Sequence, residues 1–484
     1  MDKNKVYLEF VGNNADGVTG SCIFVQFYEP NSSRNYNILL ELGLMQDDDI
    51  EKAYKANLRM LDSIDFKSID AIFCTHLHSD HSMLLPSAYR RGFEGTIYST
   101  KGTKYGLTPM LKDGHSINKQ TVNTLISKGI RAKPYYEEKD ISRAVLNTVE
   151  VKYNEKYFLS DNIWFKLIKN NHVYDSASLL IEFLDETNNV HKLFYSGDLG
   201  NIKFEKHFVN QEQLPIKDAN VCIYESTYGV KTVQNNLREK EIDILHKELR
   251  HTLLEKNGIC LFPTFSFDRT PNILWVLKKI MDSDNDLNDI MVVLDGKLSN
   301  ELLNVFSVIF KCKDKDELDE LLNWSNLKRY TSYKQTEVLL KDTKPKIILS
   351  SNGMATNGRV IHYLQKLLPS KNNTVIFTGY SSKCSPARKI KENAKLPNGC
   401  NKIVKLDKDI IVTQNCGVLD LHSFSSHIMG DDLVKYITST NMQKCVLVHG
   451  DNRQELKEVL DNEFAKLNKT TKVIVPNINY KFTF

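Results

Sequence analysis

Thr75-His76-Leu77-His78-Ser79-Asp80-His81 is the stretch on which the reading of this chain turns. It follows an apolar run, Ile69 to Cys74, that reads as a buried strand, and precedes Ser82 to Arg91, which reads as a helix. Four side chains able to ligate a metal thus gather at one strand-to-helix turn. Imidazole nitrogens and a carboxylate oxygen are donors that Zn²⁺ accepts, and extended backbone leaving a strand sends His76 and His78 to one side. As the chain turns, Asp80 and His81 are presented together toward a second metal position. The plain alternative is a polar turn rich in histidine by accident. Histidine is scarce, however, at 13 in 484 residues, and three at this spacing beside an aspartate favour the metal reading.

Bulk composition sets the bounds. A chain of 484 residues is too long for one ordinary domain and fits two or three compact units. Hydrophobic residues at 41% and charged residues at 26% describe a globular protein with ample core. The net charge of +4 arises from 64 basic and 60 acidic residues, so the surface is mixed, and nucleic acid is permitted by that balance without being argued by it. Met1 to Lys5 lead straight into strand-like Val6 to Phe10, and no apolar run reaches about 18 residues, so neither a secretion signal nor a membrane span is expected. Nine cysteines without a CxxC pair suit buried thiols in a reducing compartment, and the expected location is cytoplasmic.

Outward from the cluster, the alternation of Val6, Leu8 and Phe10, then Ile23, Val25 and Phe27, then Ile38, Leu40 and Leu42 predicts half-buried antiparallel strands. The turn-rich Gly12 to Ser21 either shapes a site edge or simply joins strands. Glu41-Leu42-Gly43 ends the third strand, where the Glu41 carboxylate either steadies a ligand histidine from behind or faces solvent. Helices and loops follow over about 101–150, with His115 read as structural. His172 stands in a loop between strands Ile163–Ile168 and Leu179–Leu184, and the strand from Leu193 closes on Asp198. A Gly-Asp turn alone is weak. Its weight comes from order: a double-histidine cluster, a single histidine, then an aspartate, each at a strand end. From about 211 to 395, apolar strands alternate with amphipathic helices, which predicts a second, mostly parallel sheet. The last part returns to the first style through strands Asp409–Val412 and Val418–Phe424, then Ser425-Ser426-His427, a helix from Gly430, strand Lys444–Val448, His449-Gly450-Asp451, and a closing helix and strand.

Together these stations resemble the metallo-β-lactamase superfamily and, within it, the β-CASP nucleases. The superfamily's HxHxDH is matched by His76, His78, Asp80 and His81. Its later histidine in Gly-His-x-x-Gly-Ser-Ala is matched by His172 before Ser176-Ala177, and its Ser-Gly-Asp-Leu-Gly aspartate by Asp198. The β-CASP group opens an inserted capping domain with Glu-Ser-Thr-Tyr-Gly, which stands unchanged from Glu225 to Gly229. Further matches are Ser351-Asn352-Gly353-Met354 with Gly358-Arg359-Val360, the Gly379-Tyr380 turn, and Phe424-Ser425-Ser426-His427 for the late Ser-x-His. Two departures stand out. Glu41-Leu42-Gly43 replaces Asp-x-Gly, and Arg388 and Lys389 stand where eukaryotic members carry a histidine after the Gly-Tyr turn. That places the chain in a variant, bacterial-looking subgroup related to the pre-mRNA 3′-end cleavage endonuclease.

The resemblance implies an α/β fold, the αββα sandwich of the superfamily with an inserted α/β cap, divided as 1–210, 211–395 and 396–484. It implies two Zn²⁺ ions, with Mn²⁺ as the alternative: His76, His78 and His172 on one, Asp80, His81 and His427 on the other, and Asp198 bridging. Asp80, Glu225 and Lys389 are the implied catalytic residues, with Glu225 protonating the leaving oxygen directly or through a water. Ser351, Asn352, Gly353, Gly379, Tyr380, Ser381 and Arg388 would hold phosphate oxygens. The implied activity is hydrolysis of single-stranded RNA in a slot between the domains, endonucleolytic, with exonuclease action allowed. A DNA nuclease of the same fold and a non-catalytic nucleic-acid-binding scaffold are the alternatives. A homodimer is allowed and a membrane partner is not. The resemblance further implies a compact bacterial endoribonuclease, without the C-terminal domain of ribonuclease J or the N-terminal RNA-binding domains of archaeal relatives.

Overall fold

The computed structural model describes all residues except 1–5, 16, 30, 32, 48, 204–207, 209–213, 233, 235, 310–314, 380, 383, 384 and 398. The chain divides into two compact units, one of Met1–Ile202, Val209–Val233 and Ser426–Phe484, the other of Lys203–Phe208 and Gln234–Ser425.

In the first unit, alternation produces strands with one dry face. Ile23–Glu29 buries every second side chain and pairs antiparallel with Tyr7–Phe10 and Arg34–Leu40. Among the described residues this sheet has seven strands, in the order Lys481–Thr483, Tyr7–Phe10, Ile23–Glu29, Arg34–Leu40, Ala71–Phe73, Thr96–Ser99 and Thr148–Glu150. A second seven-stranded sheet runs Lys472–Ile474, Asn441–Val448, Asp218–Glu225, Val190–Tyr195, Ala177–Leu184, Ile163–Lys169 and Tyr157–Phe158. The sheets share one core, in which Leu8, Val25, Ile38 and Phe73 of the first meet Phe165, Ile181, Leu193, Val221 and Val446 of the second. Phe73 and Phe165 meet edge to face at 4.8 Å, and Phe27 and Phe183 at 5.2 Å, the approach that ring quadrupoles favour. Leu433, Tyr436, Leu456 and Leu460 of helices Gly430–Ser439 and Arg453–Lys466 cover the other face of the second sheet. Helices Lys101–Ser127 and Glu138–Leu146 lie beside the first sheet. The result is a mixed α/β sandwich of the metallo-β-lactamase type, as the resemblance implied.

Within the second sheet, Val190–Tyr195, Asp218–Glu225 and Asn441–Val448 run parallel side by side, with Glu225 opposite Val448. Parallel neighbours end on the same side, so Asp198, Glu225 and His449 arrive at one rim. The single helix expected over Ser82–Arg91 is instead two, Ser79–Ser82 and Leu85–Arg90. The break falls where the Leu84 amide donates to the Leu42 carbonyl at 3.0 Å and Pro86 opens the second helix.

The second unit is built on a six-stranded sheet ordered Leu327–Tyr330, Met291–Asp295, Lys346–Ser350, Ile259–Pro263, Thr374–Phe377 and Gly417–Asp420, with every neighbouring pair parallel. Ile403–Asp407 and Ile410–Thr413 form a separate antiparallel hairpin. Its boundaries differ from the expected 211 and 395. Asp218–Glu225 is a central strand of the first unit, and Gly417–Asp420 extends the second unit's sheet beside Thr374–Phe377. The strand expected over Val418–Phe424 therefore stops at Asp420 and does not return the chain to the first unit. Cys22, Cys74, Cys222, Cys260, Cys416 and Cys445 are buried free thiols, and Cys400 is an exposed one. Among the described residues no helix is long and apolar enough to cross a membrane.

One ion-pair knot ties helix Leu237–Arg250 to the turn after helix Arg269–Asp282. The Asp284 carboxylate accepts from the Arg250 guanidinium at 2.6 and 2.7 Å and lies 2.6 Å from His246 Nε2. The Arg250 guanidinium holds the Asp284 carboxyl below its ordinary range, against the upward push of burial and with help from His246. A carboxyl depressed by folding stabilises above its unfolded value, about 3.9, and that contribution is lost as pH falls through the folded value. Asp284→Asn is therefore expected to cost about 2 kcal/mol in urea unfolding at pH 7. The gap between variant and parent should close below about pH 4, and a gap constant from pH 7 to pH 3 would refute this account.

Candidate metal centre

The Thr75–His81 turn brings its donors to the same rim as the ends of the second sheet's parallel strands. His78 Nδ1 lies 3.1 Å from His76 Nε2 and 3.2 Å from His172 Nε2, and Asp198 Oδ2 lies 3.6 and 3.4 Å from the same two Nε2 atoms. Four ligands about 2.0–2.1 Å from one tetrahedral Zn²⁺ sit about 3.3 Å apart, so the spacing fits that ion. Burial holds the His78 ring down at about 4 and pushes His76 and His172 well below the ordinary imidazole range. Neutral imidazoles are the form that ligates.

A second group shares Asp198. His449 Nε2 lies 3.2 Å from Asp80 Oδ2, His81 Nε2 lies 3.8 Å from the same oxygen, and Asp198 Oδ1 lies 3.4 Å from His81 Nε2 and 3.6 Å from His449 Nδ1. Burial pushes the two rings down, but the Asp198 and Asp80 carboxylates outweigh it and hold both above the ordinary imidazole value. The same rings draw Asp80 and Asp198 below the usual carboxylate range despite their burial. His81 Nε2 and Asp198 Oδ1, 3.4 Å apart, are buried without a hydrogen bond among the described residues. Buried polar atoms left in that state cost about 1–3 kcal/mol each, and a cation between them removes the cost. The residues present fit metal ions on this ground.

Glu41 is fully buried, which removes its solvent-facing alternative. Its carboxylate accepts from the Thr75 amide at 3.2 Å and from the Thr75 hydroxyl, and stands 3.4 Å from His81 Nδ1. It thus backs His81 directly and His76 through Thr75, whose hydroxyl lies 3.0 Å from His76 Nδ1. The Gly12–Ser21 segment does shape the site edge, since the Ser21 amide donates to the Asp80 carbonyl at 2.8 Å. His115 is buried and stacked on Tyr136, apart from every group able to hold a metal among the described residues.

His427 does not stand where it was expected, beside Asp80 and His81. That place is taken by His449, one residue past strand Asn441–Val448. His427 is pinned by an antiparallel bridge to Gly200 and by the Ile428 amide on the Leu199 carbonyl at 2.9 Å. There its Nδ1 lies 3.0 and 3.2 Å from the two Glu225 oxygens. Glu225, 1% exposed, also accepts from the Leu199 amide at 2.6 Å and the Thr227 amide at 3.2 Å, which leaves it no face for a substrate. His427 is 19% exposed at its side chain. His449 was missed because it was read as one more strand-end turn, although the strand-end rule that selected His172 and Asp198 applied equally to it.

The loop carrying His172 is clipped at its far end. Asp175 stands with φ at 56°, where the family pattern has glycine. Its carboxylate accepts from the Gly102 amide, in the first turn of helix Lys101–Ser127, and from the Tyr153 hydroxyl at 2.8 Å. Its carbonyl accepts from the Thr100 hydroxyl at 2.5 Å. The left-handed backbone costs a non-glycine residue about 1 kcal/mol, which a carboxylate at a helix N-terminus offsets.

The residues expected to hold phosphate all fall in the second unit. Ser351, Asn352 and Gly353 follow strand Lys346–Ser350, while Gly379 and Ser381 follow Thr374–Phe377; Tyr380 lies outside the described residues. The Asn352 amide group is spent on its own turn, on Thr356 and Asn357, both at 2.9 Å. The Gly379 carbonyl accepts from Lys391 Nζ at 2.8 Å, and Ser381 Oγ is buried without a hydrogen bond among the described residues. Arg388 donates to Glu392 at 2.8 Å on helix Pro386–Ala394, and among the described residues the Lys389 side chain makes no hydrogen bond or ion pair. The partner that the structure gives Glu225 within its own unit is His427.

Known proteins resemble the chain in both parts. Residues 270–390 match the Beta-Casp domain family, and residues 412–476 match the Zn-dependent metallo-hydrolase RNA specificity domain. Transcription termination factor FttA of Methanocaldococcus jannaschii is 27% identical over 92% of this chain and 67% of its own length. Endoribonuclease YSH1 of Yarrowia lipolytica is 25% identical over 86% of this chain, which spans only 48% of that relative. The RNase J-like protein of M. jannaschii is 26% identical over 93% of this chain and 94% of its own length. A crystal structure of a protein of unknown function from Enterococcus faecalis V583 shares the fold, with a TM-score of 0.54 at 16% identity over 99% of this chain and all of that one.

Two measurements test this geometry. Zinc analysis after reconstitution and dialysis should show less metal per chain in His449→Ala than in the parent, and parental metal in His427→Ala; the reverse pattern would restore the expected ligand set. Competition with a chromophoric chelator should show Asp175→Asn binding zinc about tenfold more weakly. Asp175→Gly, which keeps the backbone, should show the same loss, and parental affinity in both would mean that the clip does not steady His172.

Proposed function

The chain belongs to the β-CASP nucleases of the metallo-β-lactamase superfamily, and from that premise we propose that it is a metal-dependent phosphodiesterase that cleaves single-stranded RNA as an endonuclease. The observation that carries the reading is the pair of ligand groups joined through Asp198, with the Glu225–His427 pair beside them. Its relatives, an endoribonuclease, an RNase J-like protein and a transcription termination factor, support RNA as the polymer.

His76, His78, His172 and Asp198 would hold one ion, and Asp80, His81, His449 and Asp198 the other, zinc by the imidazole-rich donor set and manganese as the alternative. Such ions, when bound, supply Lewis acidity toward phosphoryl oxygens and an acidified water. The rest falls to the chain's own groups. Glu225 fixes the His427 ring by accepting from Nδ1–H, so that Nε2 carries or releases the mobile proton. His427, partly exposed, is placed to protonate the departing oxygen, with Glu225 steadying the imidazolium. Glu225 thus acts through His427 instead of donating directly, and Lys389 is not needed as an acid. Glu41, through Thr75 and His81, holds the first turn in the ligating conformation.

Matched single-stranded RNA and DNA incubated with the zinc-loaded protein should give faster RNA cleavage, with internal products first. Asp198→Ala should abolish turnover, and His427→Ala should lower kcat about 10²- to 10⁴-fold. Faster cleavage of DNA would replace the substrate, and unchanged turnover in Asp198→Ala would remove the site.

A further inference from the structure

At the edge of the second unit's parallel sheet, a pocket of about 530 Å³ opens between the end of strand Leu327–Tyr330 and helix Lys297–Ile309. Its lining is Lys297, Asn300, Glu301 and Asn304 from one helix face, with Arg329, Thr331 and Ser332 from the strand end. The carboxyl ends of parallel strands are where α/β sheets receive ligands.

Arg329 gives the pocket its character. Nε donates to Asn300 Oδ1 at 2.8 Å, and NH2 donates to the Asn300 carbonyl at 2.9 Å and to Asn304 Oδ1 at 2.7 Å. Every one of these acceptors is neutral. A half-buried guanidinium normally takes a carboxylate partner, and among the described residues Arg329 has none. Burial alone acts on it, pulling its pKa down. The acceptors bind Nε and NH2 and leave NH1, with two N–H groups, unspent, so the fork is held in place by uncharged groups with one end presented. Asn300 is itself locked, donating to the Gly296, Leu294 and Tyr330 carbonyls at 2.7, 3.3 and 3.1 Å, so the platform under Arg329 is rigid. Lys297 adds a second cation. Lys297, 72% exposed, makes only a loose ion pair at 3.8 Å with Glu301, itself 43% exposed and also in the lining. The nearby Arg359, by contrast, is neutralised by Asp295 at 2.5 Å. The contrast marks Arg329 as the cation kept without a carboxylate.

We infer that this pocket is a binding site for a phosphoryl anion, with Arg329 NH1 and Lys297 as its charged donors. The chemistry is shared by a free phosphate-bearing small molecule and by a phosphodiester of the RNA backbone. The second source rests on the ribonuclease reading, the first does not.

The test uses the full chain stripped of metal, so that binding is measured without cleavage. Fluorescence anisotropy with a labelled single-stranded RNA, at several salt concentrations, is compared for the parent, Arg329→Gln and Lys297→Ala, alongside calorimetric titration with inorganic phosphate. Lys297→Ala guards against misfolding, because its side chain carries no part of the platform. Weaker RNA binding in both variants, about tenfold in Arg329→Gln, with a salt slope smaller by about one, assigns the pocket to RNA. Phosphate binding to the parent that both variants lose, with RNA affinity unchanged, assigns it to a small phosphate ligand. Parental RNA affinity and salt slope in both variants, with no phosphate binding to the parent, overturns the inference. That result would leave the cleavage assays on Asp198→Ala untouched, so the two readings fail separately.

Discussion

Asp198 sits 1% exposed at the end of strand Val190–Tyr195, with His76 and His172 within 3.6 Å of one oxygen and His81 and His449 within 3.6 Å of the other. A carboxylate so placed is tolerable only if opposite charge stands beside it, because the penalty for burying an unpaired ion runs to several kcal/mol. Here the Asp198 and Asp80 carboxylates push the His81 and His449 rings up against burial, while burial pushes His76, His78 and His172 down. The two halves of the site thus differ in the charge around their rings.

That asymmetry follows from topology. The first group is mostly local, since His76 and His78 leave one strand two residues apart and His172 needs only one loop to join them. The second depends on parallel register between Asp218–Glu225 and Asn441–Val448, strands more than two hundred residues apart in sequence. Asp198, from the neighbouring parallel strand, belongs equally to both. The sandwich therefore works as a device for ending three parallel strands at one rim, opposite the turn that follows Ala71–Phe73.

The legibility of the chain divides along the same line. Thr75 to His81, His172 and Asp198 were readable because each donor announces itself within a few residues of a strand end. His449 carries the same local signature in Val448-His449-Gly450, but its assignment required knowing which strand neighbours Asp218–Glu225, and a single sequence does not contain that pairing. His427 was drawn into the vacancy instead. The compact units have other bounds than 211 and 395 for a related reason: Asp218–Glu225 and Gly417–Asp420 are short strands, and only hydrogen-bond pairing tells which sheet each completes. The six-stranded parallel sheet itself was legible, because alternating strands and helices leave few other arrangements.

Part of the chain's backbone strain sits at the site. Glu41, Asn171, Asp175 and His449 all adopt positive φ without being glycine. Each such residue costs about 1 kcal/mol, and such residues persist only where surrounding contacts over-determine them. At three of them the contacts are visible: Thr75 binds the Glu41 carboxylate, the Gly102 amide binds Asp175, and the Thr227 hydroxyl meets His449 Nδ1 at 3.0 Å while the Ser226 amide donates to its carbonyl at 3.2 Å. Glu41 backs His81 and, through Thr75, His76, His449 is itself a ligand candidate, and Asn171 and Asp175 lie one and three residues from His172. At Glu41, Asp175 and His449 the side chain's own bonds hold the bend. Glycine at these positions would relieve the backbone and lose the grip, which explains why a chain that keeps glycine at Gly197 and Gly200 does not use it at Asp175.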